Sequence, residues 1–132
     1  MPHDIEPKDL AKYRLEQARE CLRDAENAIG TSSKNAANRS YYTIFHSMRA
    51  VLALERFDSK KHSGVISAFR QRYIKTGVFE PFFSDVVRNA FIVRNRCDYE
   101  DFFVVSKSEV EKQIDNARQF LEAVEAYIDR LV

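Results

Sequence analysis

The chain has 132 residues, a length that suits one domain able to bury its own core rather than two. Its 21 basic and 20 acidic side chains leave a net charge of +1, which argues against bulk attraction to a DNA duplex or an anionic membrane and leaves room only for local contacts with nucleic acid. Three glycines and three prolines favour long helices, and two cysteines, Cys21 and Cys97, give neither a disulfide framework nor a metal set and read as reduced thiols.

The N-terminal run Met1-Pro2-His3-Asp4-Ile5-Glu6 lacks the basic and apolar blocks of a secretory signal, and no segment is apolar for long enough to span a bilayer, so a soluble cytoplasmic protein is expected. Ala11, Leu15, Ala18, Leu22, Ala25 and Ile29 alternate spacings of four and three, predicting a first helix about 30 Å long that ends at Gly30. Thr31, Ser32 and Ser33 offer N-caps for a second helix carrying Ala37, Tyr41, Ile44, Phe45, Met48, Val51 and Leu52 and ending near Phe57. After the polar connection Asp58–His62, Val65, Ile66, Phe69, Tyr73 and Ile74 mark a shorter helix closed by Gly77. Pro81 suits the first turn of a fourth helix, with Phe82, Phe83, Val86, Val87, Ala90 and Phe91. Tyr99 to Val105 reads as an extended connection, and Ser106 with Glu109 as a capping box opening a last helix striped by Val110, Ile114, Ala117, Leu121, Val124, Ile128 and Leu131. The expected fold is all-α: an up-and-down bundle of about five helices over a four-helix core, residues 1–132 forming one domain, with the first and last helices a long parallel or antiparallel pair.

Chemistry concentrates in Arg94-Asn95-Arg96-Cys97-Asp98-Tyr99, at the C-terminal end of the fourth helix. Two guanidiniums, an amide, a carboxylate and a phenol can grip a phosphate, or they can tie helix ends together. Arg94 can complement the helix dipole and cap orphan carbonyls, or it can contact a phosphate or partner. Asp98 can pair with Arg94 and leave less cation free. Tyr99 is a poor general base, because a phenol titrates near 10 where a histidine titrates near neutrality; it reads equally as a core-edge aromatic whose hydroxyl reaches a backbone group. Tyr42, His46 and Arg49 share a helical face, with His46 either a hydrogen-bonded histidine beside the core or a cleft residue. Lys60, Lys61 and His62 form the densest basic run, a solvated loop or an anion-binding helix entrance. A di-iron bundle is excluded, since none of His3, His46 and His62 has a glutamate three residues before it; no metal and no cofactor are expected. A histidine phosphotransfer role for His46 beside Arg49 is weaker, given the aromatics around it. No glycine-rich phosphate loop or nucleophile elbow is present.

The Arg94 cluster resembles the signature of the HEPN domain family, an arginine and a polar residue followed after a short spacer by a histidine. Arg94 and Asn95 match, Tyr99 stands in the histidine's place, and no histidine follows His62. Asn38 to His46, Lys61 to Val65 and Ala117 to Leu121 also resemble small prokaryotic HEPN proteins, so the likeness spans roughly residues 8 to 130, and the Asp98-Tyr99 ending is similar to the subgroup that lacks the histidine. The resemblance implies a helical bundle that dimerises with two signatures in one cleft, and a partnership with a minimal nucleotidyltransferase. It further implies either a noncatalytic or weakly catalytic module binding nucleotide or RNA, or a metal-independent endoribonuclease of the toxin–antitoxin kind. In the enzyme, Arg94 would steady the scissile phosphate, assisted by Asn95 and Tyr99 or by a recruited His46 or His62. Such transferases adenylylate a tyrosine two positions beyond the histidine; that position is Asp101 here, and Tyr99 is the nearest phenol.

Overall fold

The computed structural model describes residues 5–131; His3 and most of the N-terminal run read above lie outside them. Five α-helices follow one another: α1 (Pro7–Ala28), α2 (Ser33–Ala53), α3 (His62–Phe69), α4 (Pro81–Tyr99) and α5 (Lys107–Leu131). A π-helical turn, Arg70–Ile74, continues α3. No strand occurs among the described residues, and the all-α bundle stands as expected.

Helix α2 is the central element, packed against α1, α3, α4 and α5 and buried on most of its circumference. Small residues make this possible. Ser40, Thr43 and Ser47 are buried without penalty because their hydroxyls donate to the carbonyls four residues back, at 2.9, 2.9 and 2.7 Å. Around α2, the side chains of Tyr41, Met48, Phe69, Phe120 and Ile128 form one apolar core. The ion pairs Arg19–Glu125 (2.6 Å) and Arg118–Glu26 (2.8 Å) show α1 and α5 antiparallel, since the residue number rises on one helix as it falls on the other.

Element ends differ from the sequence reading where backbone bonds override residue type. Helix α1 ends at Ala28, whose carbonyl accepts the Thr31 and Ser32 amides at 3.0 and 2.8 Å, so Gly30 lies beyond the last turn. Helix α2 ends at Ala53, before Phe57; Arg56 takes a left-handed φ of 56° and the Phe57 amide reaches back to the Leu52 carbonyl at 3.2 Å. Gly77, at φ 81°, does close the third segment, and Pro81 does open α4. At α5, Ser106 Oγ accepts the Glu109 amide at 3.1 Å, but the Glu109 carboxylate turns to Gln113 (3.2 Å), so half of the capping box forms. Cys21 and Cys97 are both free and buried. No described helix is long and apolar enough to cross a membrane.

Candidate functional site

The signature hexapeptide is helical to its end, and helical geometry divides it. Residues two apart point to roughly opposite sides. Arg94 therefore turns inward to α2 while Arg96 turns away, donating to Glu100 at 2.7 Å with its guanidinium 4.2 Å from the Phe103 ring. Arg94 is only 17% exposed; its Nη2 donates to the Tyr42 hydroxyl at 3.4 Å, and its Cζ lies 5.2 and 5.6 Å from the Tyr41 and Tyr42 ring centres. Asp98, one turn on, sits 3.2 Å from Arg94 Nε, close enough for an ion pair. That Nε is nevertheless buried without a directed hydrogen bond, so the pair is held by charge rather than by aligned geometry. Asn95 is half-buried.

Tyr99 behaves differently from its core-edge reading. The ring is 78% exposed, and its hydroxyl reaches no backbone group among the described residues. It is the last residue of α4, and at Glu100 the backbone turns extended and leaves the bundle, so nothing packs over the ring.

His62 joins the cluster from the first turn of α3. Its Nδ1 lies 2.8 Å from the Tyr41 hydroxyl, its ring stacks on Phe45 at 4.1 Å, and it stands edge-on to Tyr42 at 5.8 Å. Burial pushes the Tyr41 phenol up to about 12, so it keeps its proton. Burial, then Arg94 and Arg49, lower the His62 pKa, so the ring is neutral near pH 7. Either tautomer satisfies this contact: if Tyr41 donates to Nδ1 the ring proton resides on Nε2, and if Nδ1–H donates to the Tyr41 hydroxyl Nε2 keeps a free lone pair. Lys61 is an exposed N-cap whose carbonyl receives the Gly64 and Val65 amides, and it stands apart from the cluster.

His46 is not the hydrogen-bonded histidine that its position on α2 suggests. Its Nδ1 is buried with no partner, and burial followed by Arg49, Arg14 and Arg39 pushes its pKa down to about 4. The same arginines set the charge around His46. Arg14 and Arg49 share Asp58, at 3.2 and 3.5 Å, while Arg39 turns to Asn38 Oδ1 at 2.7 Å and lies over the Tyr42 ring at 5.3 Å. Arg14 and Arg49 thus share one carboxylate, Asp58, while Arg94 stands beside Asp98 and Arg39 lines a recess with Asp24, so the surplus cation lies at the Arg14–Arg49 pair. Of the candidate residues, the fold gathers Arg94, Asp98, Tyr42, His46 and His62, and leaves Arg96, Tyr99 and Lys61 outside. Tyr41 and Arg39 were missed as members. The Arg39–Tyr42–His46–Arg49 spacing carried a signal for Arg39; nothing local marks Tyr41, whose role depends on where α3 docks.

Comparison with known proteins agrees with the helical fold. A family model described as HEPN domain matches residues 11–127. The chain is similar to a "UPF0332 protein" of Thermotoga maritima, 32% identical over 127 residues and covering 96% of each chain. It is also similar to "Putative toxin MJ0142" of Methanocaldococcus jannaschii, 28% identical over 122 residues, covering 92% of this chain and 82% of that one. A second protein of that organism, "Putative toxin MJ0605", is 27% identical over 99 residues, covering 75% and 73%. On the family match across most of its length, the chain belongs to the HEPN domain family.

Proposed function

We propose that this HEPN domain is a noncatalytic or weakly catalytic binding module that works as a homodimer and holds a phosphate of a nucleotide or RNA at Arg94. The observation that carries the reading is the separation of the signature's two halves: Arg94 is sheltered beside Tyr42, whereas Tyr99, in the place of the proton-transferring histidine, is solvent-exposed. A cation without its acid–base partner can bind a phosphodiester but has little means of moving the 2′-hydroxyl proton. The partner implied by family kinship is a small nucleotidyltransferase, and the names of the two archaeal relatives suit a toxin–antitoxin setting. Binding of a labelled RNA pentamer tests the reading: Arg94→Ala should weaken it about tenfold, the scale of one charge-assisted phosphate contact. Unchanged affinity would sink it.

A metal-independent endoribonuclease is the competing reading, favoured by one observation, the neutral His62 anchored to Tyr41 within the field of Arg94. In the tautomer whose Nδ1–H donates to the Tyr41 hydroxyl, His62 Nε2 would accept the 2′-hydroxyl proton as that oxygen attacks the phosphorus, Arg94 would steady the phosphate, and the departing 5′-oxygen would take a proton from solvent. RNA cleavage in EDTA that disappears in both His62→Ala and Arg94→Ala would establish this reading in place of the first.

A further inference from the structure

Asp98 stands where helix energetics disfavour a carboxylate. It is the penultimate residue of α4, beside the carbonyl end of the helix dipole, which repels an anion and favours a cation. Its ion pair also runs in the weaker order: Arg94 precedes Asp98 by one turn, whereas a pair four apart stabilises a helix more when the acid comes first. Stability of α4 therefore gives no reason for an acid at this position. What remains is its effect on Arg94.

That effect is not to hold the guanidinium in place. Arg94 is lodged in a corner made by two rings of α2, Tyr41 and Tyr42, whose centroids lie 5.1 Å apart with planes at 82°. Tyr41 is fully buried and tied to His62, and the Tyr42 hydroxyl accepts from Nη2. Asp98 adds no aligned bond: its Oδ2 is 3.2 Å from Nε, yet Nε is buried without a hydrogen-bond partner. Two residues on, the same spacing does give an aligned bond, because the longer Glu100 side chain reaches Arg96 Nε at 2.7 Å. Asp98 thus offsets the charge of Arg94 without positioning it. The Nη1 nitrogen makes no hydrogen bond to a described residue and is not sealed from solvent, so a phosphate has a point of approach.

We infer, resting on the reading of Arg94 as a phosphate contact, that Asp98 is a competing anion built into that site: it offsets the guanidinium while no ligand is bound, and a phosphate must outcompete it. The two partners differ in freedom. The Asp98 side chain is 35% exposed at the end of its helix and can turn to water, whereas that of Arg94 is 17% exposed and wedged between rings, so the carboxylate is the group that yields. Because its bond to Nε is unaligned, it yields without breaking a directed hydrogen bond. The contact lowers affinity for every anion, which excludes single weakly held anions and admits a strand that adds contacts of its own.

The test is binding of a labelled RNA pentamer to the full chain, read by fluorescence anisotropy. Asp98→Asn removes the charge and keeps the shape, and should tighten binding about tenfold. Asp98→Glu keeps the charge and has the reach that gives Glu100 its aligned bond, so it should bind no more tightly than wild type. Asp101→Asn, at an exposed carboxylate on the α4–α5 connection, gauges the loss of any one negative charge and should change affinity less than about twofold. Arg94→Ala should weaken binding about tenfold in the wild type and about a hundredfold in Asp98→Asn, so that the double variant binds like Arg94→Ala alone. Asp98→Asn should also unfold at no lower temperature than wild type, since it relieves the helix dipole; a lower midpoint would show that Asp98 serves stability and would overturn the inference. If Asp98→Asn leaves binding unchanged or weaker while Arg94→Ala still weakens it, Asp98 does not compete and the Arg94 reading stands. Tightening by Asp98→Asn that persists in the Arg94→Ala background is a general charge effect and overturns the inference. Indifference to Arg94→Ala in both backgrounds removes the reading and the inference together.

Discussion

Acid should loosen this protein through His46, and substitution of that one residue should remove much of the effect. The ring is kept neutral in the folded state because its Nδ1 is buried without a partner and three arginines surround it, which pushes its pKa from 6.5 down to about 4. The unfolded chain binds the proton first as pH falls, so between about 6.5 and 4 it holds more protons than the folded chain and stability must drop with pH. At about 1.4 kcal/mol per pH unit the full loss is about 3 kcal/mol, and solvent screening of a ring that is not sealed from water reduces it to roughly half. Burial and Arg94 lower the His62 pKa too, so its contribution has the same sign over the upper part of this window. Asp58 acts elsewhere: burial opposes its ionisation, but the Ser59 amide and Arg14 and Arg49 outweigh that, so its stabilisation is lost only below the ordinary carboxylate range. Urea unfolding of the wild type and His46→Leu at pH 7, 6, 5 and 4 separates these contributions. The variant orphans no polar partner and should lie within about 1 kcal/mol of wild type at pH 7 while losing less stability on acidification. Parallel pH profiles for the two proteins would refute the assignment.

Tyr99→His should leave RNA cleavage in EDTA at the wild-type level, because position 99 is solvent-exposed while Arg94 is turned inward to Tyr42; a gain of cleavage would show that the signature lacked only this group. Light scattering should give a twofold dimer, and Phe102→Asp, at a fully exposed aromatic on the α4–α5 connection, should weaken it; a monomer mass from micromolar to near-millimolar concentration would refute dimerisation. Co-expression with a partner nucleotidyltransferase should add an adenylyl group to Tyr99, whose exposure puts the phenol within reach of a second protein; mass spectrometry finding it unmodified in a stable complex would leave binding without modification.

Periodicity made the helices legible. The four-and-three spacing in α1 and α5 depends only on 3.6 residues per turn, and so it survives without knowledge of neighbours. The ends were less legible, because Arg56 rather than a glycine supplies the left-handed residue after α2, and the π turn after Phe69 has no local residue signature. The candidate site was half visible. Arg94 and the Tyr42–His46 face were marked by type and spacing, yet Arg96 and Tyr99, adjacent in sequence, are carried away from Arg94 by helical rotation and by the chain's exit at Glu100.

Local order in the chain was enough to specify an all-α bundle, the helix faces, the family signature and the missing histidine, since each depends on residues within a turn or two of one another. Docking of α3 against α2 set Tyr41 against His62, packing of α1 on α2 brought Arg14 to His46 beside Arg39 and Arg49, the pairing of α1 with α5 settled those two as antiparallel, and a groove opened between α3 and α4. Those features depend on pairs tens of residues apart whose proximity is produced by burial of the common core, and burial has no period that a sequence displays.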